Sequence, residues 1–150
     1  MTRKRSSYRP KPVSQNPVAL AITKVSKVTS FGDDYTIMSA RIELALTMLT
    51  TGRATAQEIK DLINVSNMAQ ALKRQGYGME YAAELLAGAD ADEAVSLRKA
   101  RTGSYVATGL ELQALRRLVE IHDAQLAAAT VGDLQAGIAT VNKRVKETIV

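Results

Sequence analysis

Residues 55–75, TAQEIKDLINVSNMAQALKRQ, decide the fold class of this chain. Thr55 and Glu58 form a capping box, in which a hydroxyl and a carboxylate three residues apart satisfy the first free N–H groups of a helix. Gly76 is a natural stop for that helix. The segment therefore predicts one continuous amphipathic helix. Its apolar stripe consists of Ile59, Leu62, Ile63, Ala69 and Leu72.

The middle of this segment also resembles a bacterial helix-turn-helix. In that motif Ser66 would cap a recognition helix, and Lys73 and Arg74 would contact phosphates. The motif needs a small residue where Lys60 stands, because two helices cross closely there. It also needs apolar residues where Gln70 and Lys73 stand. These mismatches favour the continuous helix over the DNA-binding motif.

The same type of helix start occurs twice more along the chain. Thr108 and Glu111 form a second capping box, and Thr130 with Asp133 is an acidic variant of it. Apolar residues at helical spacing fill the rest of the chain, and no strand of useful length with alternating polarity appears. The further stripes are Val18, Ile22, Val25 and Val28; Met38, Ile42, Ala45, Leu46 and Leu49; Met79, Ala82, Ala83, Leu85, Leu86 and Leu97; Leu115, Leu118, Val119, His122, Leu126 and Ala129; and Leu134, Ile138, Val141, Val145 and Ile149.

These patterns predict an all-α fold, in which residues 17–150 form a single domain, a bundle of five to six helices. A length of 150 residues suits one domain, and a hydrophobic content of 46% suffices for an independent core. Residues 79–101 are predicted to be helical, either as one long helix or as two. Gly88 and the acidic run after it could divide them, with Asp90 as the cap of the second piece.

The net charge is concentrated in one short segment. The chain has 20 basic and 15 acidic residues, which gives a formal charge of +5. Residues 1–12 hold five basic side chains and no acidic one, so the rest of the chain is balanced. Pro10 and Pro12 disfavour helix, so residues 1–16 are predicted to form an extended, flexible basic arm. The candidate nucleic-acid-binding residues are those of the arm: Arg3, Lys4, Arg5, Tyr8, Arg9 and Lys11.

The basic arm has two functional interpretations. Its five cations could displace counterions from phosphates, which would give a slope of roughly −4 to −5 in log affinity against log salt. Tyr8 could also stack on an unpaired base. Arg9 and Lys11, spaced by prolines, equally suit an acidic groove on a host protein. Many basic segments of this kind have no specific target. Nucleic-acid binding is therefore the first hypothesis, and regulation or inhibition of a host protein complex through the helical surface is the alternative.

Other functional classes lack the residues that they need. The absence of Cys excludes disulfide frameworks, Cys-ligated zinc, iron–sulfur clusters and cysteine nucleophiles. No phosphate-binding loop, dinucleotide fingerprint, serine elbow or zinc-protease pair occurs. We therefore expect a non-enzymatic protein without cofactor or metal. No apolar run approaches about 20 residues and none follows the basic start, so we expect a cytoplasmic protein without a membrane span or secretory signal.

Three local features have structural explanations. His122, the only histidine, lies on an apolar stripe, which is typical of a core or interface residue. Asp90, Asp92 and Glu93 lack the spacing of a calcium loop, and helix capping and solvation explain them better. The small residues at 127–129 let another helix approach closely, either within the chain or in a homodimer, which the sequence permits but does not specify.

Two segments carry a resemblance to known proteins. They are Tyr8-Arg9-Pro10-Lys11-Pro12-Val13 with the nearby Asn16-Pro17-Val18, and the stretch from Glu111 that ends in His122, Gln125 and Leu126 as H-x-x-Q-L. Together they resemble small uncharacterised helical proteins of proteobacterial phages and mobile elements. The resemblance implies a phage or prophage setting and binding to a host factor or nucleic acid. It implies no catalytic residues.

Overall fold

The computed structural model describes residue 21, residues 24–30 and residues 32–149. Two short 3-10 helices cover Val28–Ser30 and Met79–Tyr81, and two isolated β-bridges are the extent of β-structure in this part of the chain. The prediction of an all-α bundle is confirmed. The arm at residues 1–16, and most of the helix predicted to follow it, lie outside the described residues. The long helices are α1, Gly32–Thr50; α2, Ala56–Arg74; α3, Ala82–Thr102; α4, Gly109–Ala128; and α5, Val131–Ile149.

The start of α2 is set by the predicted capping box. The hydroxyl of Thr55 accepts a hydrogen bond from the N–H of Gln57, and the carboxylate of Glu58 accepts one from the N–H of Thr55 at 2.7 Å. The helix then runs unbroken to Arg74. Because α2 passes through Ser66 without a turn, and the side chain of Ser66 is buried, the helix-turn-helix interpretation is wrong.

The two later start signals form the same reciprocal hydrogen bonds. At α4, Glu111 accepts from the N–H of Thr108 at 2.7 Å, and Thr108 accepts in return from the N–H of Glu111. At α5, Asp133 accepts from the N–H of Thr130 at 3.0 Å, and the Thr130 hydroxyl accepts in return. All three starts predicted from the sequence are confirmed.

Helices α3 and α4 form the most extensive helix pair of the bundle. They approach so closely at Gly88 that a Cβ added there would lie 2.7 Å from the Cβ of Leu118. Residues 82–102 form one continuous helix, and neither Gly88 nor Asp90 divides it. The absence of a side chain at residue 88 serves helix packing and does not mark a break.

Two groups of buried apolar residues hold the bundle together. The larger lies among α1, α2, α3 and α4. The smaller group joins the segment before α1 to α2 and α4, and it comprises Val28, Leu72, Leu126 and Ala129. The N–H of Val28 donates to the carbonyl of Ala129, which fastens this segment to the end of α4. The fully buried large residues of the main group are Leu49, Leu62, Leu85, Leu115, Leu118 and Val95.

Several residues predicted to be buried are exposed instead. On α3, Leu86 and Leu97 face solvent although they are apolar, and Met79 before the helix does so too. Ile63 of α2 lies at the edge of the core, with 36% of its surface exposed. On α5 only Gly137 is fully buried, and every described residue from 142 onward is exposed. Helical spacing identifies an apolar stripe correctly but does not show how much of it a neighbour covers.

One ion pair reinforces the α3–α4 contact and yields a stability prediction. The guanidinium of Arg98 holds both carboxylate oxygens of Glu111 at 2.7 Å and also donates to the carbonyl of Val106. The hydrogen bond from Arg98 lowers the pKa of Glu111 to about 2. Glu111→Ala removes this pair together with the carboxylate half of the α4 capping box, and we expect it to lower the free energy of unfolding by about 1–2 kcal/mol in urea denaturation at pH 7.

The matched variant for this prediction is Arg98→Ala, which removes the ion pair and leaves the Thr108 cap in place. It should destabilise less than Glu111→Ala. A lower pKa in the folded state means that the Glu111 contribution is present above pH 4.5 and is lost as the pH falls toward 2. Equal losses for the two variants would contradict a separate capping contribution.

Candidate functional site

Helices α1, α2, α4 and α5 enclose an open-mouthed cavity of about 400 Å³. Each helix contributes residues three or four positions apart, which is one face of a helix. Most of the wall is apolar, and the polar groups are few. Cavities of this size and composition are typical of small-molecule sites in proteins. The apolar wall consists of Ile37, Met38, Ile42, Val65, Met68, Leu126, Leu134 and Ile138, and the polar residues are Asp34, Arg41, Asp61, Asn64 and His122.

His122 contributes the most deeply buried polar side chain of the cavity wall. Only 3% of its surface is exposed, and its Nδ1 has no hydrogen-bond partner among the described residues. Burial lowers the pKa of His122 to about 4, and the neighbouring Gln125 only partly opposes this effect. The imidazole is therefore neutral at pH 7. A neutral ring offers one donor and one acceptor nitrogen, and the ring of His122 is oriented next to the side chain of Gln125.

Gln125 fixes the part of α4 that presents His122. Its side-chain amide donates to the carbonyl of Ala69 at 3.0 Å and to the carbonyl of Tyr77 at 2.9 Å. These bonds join α4 to α2 and to the loop after α2. The two polar residues of the H-x-x-Q-L pattern are thus both buried, and Gln125 has a clear structural role.

An ion pair between α1 and α2 lies at the polar side of the cavity. The guanidinium of Arg41 reaches both carboxylate oxygens of Asp61, at 2.9 and 3.0 Å. Gln57 donates a further hydrogen bond to Asp61 at 2.9 Å. Since Asp61 neutralises Arg41, the remaining charged group of the wall is the carboxylate of Asp34. The cavity therefore offers no free positive charge to an anion.

A second depression, which we call the basic groove, runs between α2 and α5. Its volume is about 330 Å³. In the part of the chain that the structure describes, Arg74 and Arg144 line it and no acidic residue does. No ion pair or hydrogen bond joins either arginine side chain to another described residue, in contrast to Arg41, Arg98 and Arg117. The other lining residues are Asn67, Gln70, Thr140, Val141, Val145, Thr148 and Ile149.

The structure brings together only some of the residues singled out by the sequence. The predicted nucleic-acid-binding residues all lie outside the described part: Arg3, Lys4, Arg5, Tyr8, Arg9 and Lys11. Arg74 was a phosphate contact in the rejected helix-turn-helix, and it reappears in the basic groove. His122 is packed, as predicted, but it also lines a cavity. Sequence reasoning missed Arg144, whose only signal was its place beside the apolar stripe of α5.

The burial of Asp92 differs from the prediction for the acidic residues Asp90, Asp92 and Glu93 of α3. Solvation was expected for this residue, yet only 4% of its surface is exposed. Neither carboxylate oxygen has a hydrogen-bond partner among the described residues. Burial raises the pKa of Asp92 to about 7. The residue lies on the face of α3 that packs into the core, away from both the cavity lining and the groove lining.

Comparison of this chain with protein-family models, with curated proteins and with solved structures finds no match. Among the described residues, no group of three or more His, Asp or Glu side chains is arranged to hold a metal ion. None of the described helices is long and apolar enough to cross a membrane. The cavity, the basic groove and the sequence of the arm are therefore the features of this chain that bear on its function.

Proposed function

We propose that this chain is a non-enzymatic accessory protein that binds nucleic acid through its phosphates. The basic arm and the basic groove are the two contact regions. The observation that supports the proposal best is that Arg74 and Arg144 line the groove without a side-chain partner, and without an acidic neighbour in its lining, among the described residues. A guanidinium without an internal partner is available for bidentate hydrogen bonds to a phosphate.

The surroundings of these arginines also favour a polyanion. Asn67, Gln70 and the hydroxyls of Thr140 and Thr148 line the groove and can donate hydrogen bonds to phosphate or sugar oxygens. The helix of Arg144 bears further basic side chains near its end, of which Lys143 is paired with Glu147 at 3.9 Å. Because the chain outside the arm has no net charge, a local basic patch is the form that phosphate binding would take there.

The arm extends the proposed contact. Its residues are Arg3, Lys4, Arg5, Arg9 and Lys11, with Tyr8 for stacking on an unpaired base. The resemblance to small proteins of phages and mobile elements adds a setting, in which cytoplasmic accessory proteins act on nucleic acid or on a host factor. This setting is part of the proposal and rests on the resemblance.

The salt dependence of binding tests both regions. Binding of a 30-base-pair duplex and of a 30-nucleotide single strand is measured by fluorescence anisotropy from about 50 to 300 mM salt. Deletion of residues 1–12 should reduce the slope of log affinity against log salt by about 4.5 on duplex DNA. Arg74→Ala with Arg144→Ala should reduce it by about 1.8, or by about 1.4 on the single strand.

Arg116→Ala is the matched control for the groove variant. Arg116 is an exposed arginine of α4 that does not line the groove, and its removal should leave the slope within error of the original. The proposal would be overturned if the full chain, the truncated chain and the double variant bound nucleic acid with the same affinity and the same salt slope. A loss confined to the truncated chain would restrict the contact to the arm.

A protein partner is the alternative function, and one observation favours it. Val141, Val145 and Ile149 also line the basic groove, and Val145 and Ile149 are at least half exposed. Apolar residues flanked by arginines suit an acidic amphipathic helix. Affinity capture from host lysate, with and without nuclease, separates the two functions. Recovery of one defined protein that survives nuclease and is lost on Val145→Asp would favour the protein partner.

A further inference from the structure

The cavity among α1, α2, α4 and α5 has no role in the proposed nucleic-acid binding. We propose that it binds a compact, uncharged and largely apolar small molecule that has one hydroxyl or N–H group, with His122 as its polar contact. The proposal is independent of the basic groove, since the two depressions share no lining residue.

The size and the wall of the cavity set the apolar part of the ligand. An apolar cavity of about 150 Å³ holds one benzene molecule. The present cavity, at about 400 Å³, has room for a larger body such as two fused rings with a substituent. At its mouth Ile37 and Ile138 remain 60% and 43% exposed, so a bound apolar ligand would cover surface that the bundle leaves open to water.

His122 is the hydrogen-bond partner that requires one polar group on the ligand. Its side chain is almost wholly buried, it lines the cavity, and its Nδ1 has no partner among the described residues. Nδ1 has almost no accessible surface, so a ligand in the cavity contacts the other ring nitrogen, Nε2. Nε2 is a donor in one tautomer of the neutral imidazole and an acceptor in the other, so it can bond to a hydroxyl or N–H group.

The charged residues of the cavity wall favour an uncharged ligand. Asp61 pairs with one terminal nitrogen of Arg41 and cancels its charge, so this pair gives the wall no net positive charge for a carboxylate or phosphate. The remaining charge is the exposed Asp34, which repels anions, and its exposure weakens its attraction for cations. Burial keeps the imidazole of His122 neutral as well. An uncharged ligand fits each of these groups.

The test uses the full chain and three matched probes: 2-naphthol, 2-methylnaphthalene and 2-naphthoate. The first has a hydroxyl, the second replaces it with a methyl group, and the third replaces it with an anion. His122 is the only histidine, so a ¹⁵N-histidine label gives one unambiguous pair of ring resonances. We expect 2-naphthol to bind saturably, to shift a ring-nitrogen resonance of His122, and to bind about two- to tenfold more tightly than 2-methylnaphthalene. We expect 2-naphthoate to bind the most weakly.

Two kinds of variant locate the site. His122→Phe keeps an aromatic ring and should abolish the preference for 2-naphthol over 2-methylnaphthalene. Ile138→Trp should block the cavity and weaken both neutral probes at least tenfold; Ile37→Trp, from the opposite helix, provides a second blocking variant if the first does not fold. Absence of saturable binding of 2-naphthol to the unaltered chain would overturn the proposal. So would tighter binding of 2-naphthoate, or neutral-probe binding that survives in a folded blocking variant.

Discussion

Gly88→Ala is expected to destabilise the bundle by about 1–3 kcal/mol, although alanine is the better helix former by about 1 kcal/mol. The added Cβ would lie 2.7 Å from the Cβ of Leu118 and 2.9 Å from its Cδ2. The Cβ of a leucine is fixed to its backbone, so the clash can be relieved only by moving α3 away from α4. Leu118 is fully buried, so its side chain cannot turn out toward solvent without leaving the core.

The measurement for Gly88→Ala is the free energy of unfolding from urea denaturation, together with the thermal midpoint. A loss of 1 kcal/mol lowers the midpoint by roughly 2–4 °C in a chain of this size. Gly109→Ala is the control, because Gly109 begins α4 and an added Cβ there would meet no described atom within 4 Å outside its chain neighbours and the helix's own backbone. It should be neutral or slightly stabilising. A Gly88→Ala variant as stable as the original would show that the helices are not in tight contact at this residue.

The helix boundaries were predictable because their signals are local. Thr55 with Glu58 and Thr108 with Glu111 each satisfy N–H groups of their own first turn, so four residues of sequence contain the whole interaction. Gly88 was ambiguous for the opposite reason. Its role depends on Leu118, thirty residues away, and a glycine that admits a close helix cannot be distinguished by sequence from one that ends a helix.

The candidate sites were less predictable than the helices. His122 was recognised as a packed residue from its position on the apolar stripe. The cavity that it lines is formed by faces of four helices, and no single periodic pattern shows that a gap remains among them. The exposed end of α5 has the same origin, since the stripe predicts a covering partner that the described bundle does not provide.

The burial of Asp92 had a signal that was available in the sequence. Leu85, Gly88, Asp92 and Val95 follow one another at spacings of three and four residues, which places them on one face of a helix. The four are buried together in α3. The adjacent acidic residues favoured the prediction that Asp92 is solvated. The helical spacing instead indicates a carboxyl group within an apolar face.

Asp92→Asn is expected to stabilise the bundle more at pH 8 than at pH 5, by about 2–3 kcal/mol. Burial raises the pKa of Asp92 from 3.8 to about 7 in the folded chain. Between these two values the folded state holds a proton that the unfolded state does not. The contribution of Asp92 to stability therefore falls as the pH rises from about 4 to 7, and the full cost of a buried charge remains above that. Asparagine has no charge to bury at any of these pH values.

His122 has the opposite effect on stability, so the unaltered chain alone would not show the contribution of Asp92. The pKa of His122 is lowered from 6.5 to about 4, so the unfolded state binds the extra proton and stability rises with pH across that interval. From about pH 4 to 6.5 the two residues nearly cancel. The difference between the Asp92→Asn variant and the original removes the His122 effect, because it is common to both.

Urea denaturation of both chains at pH 5, 6, 7 and 8 measures this difference directly. Asp90→Asn is the matched control, since Asp90 lies two residues earlier on α3 and is exposed. Its difference from the original should not change over this pH range by more than a few tenths of a kcal/mol. Stability curves that stay parallel for the original and Asp92→Asn would mean that the carboxyl group is ionised at little cost, and hence that water or a polar group reaches it in the folded protein.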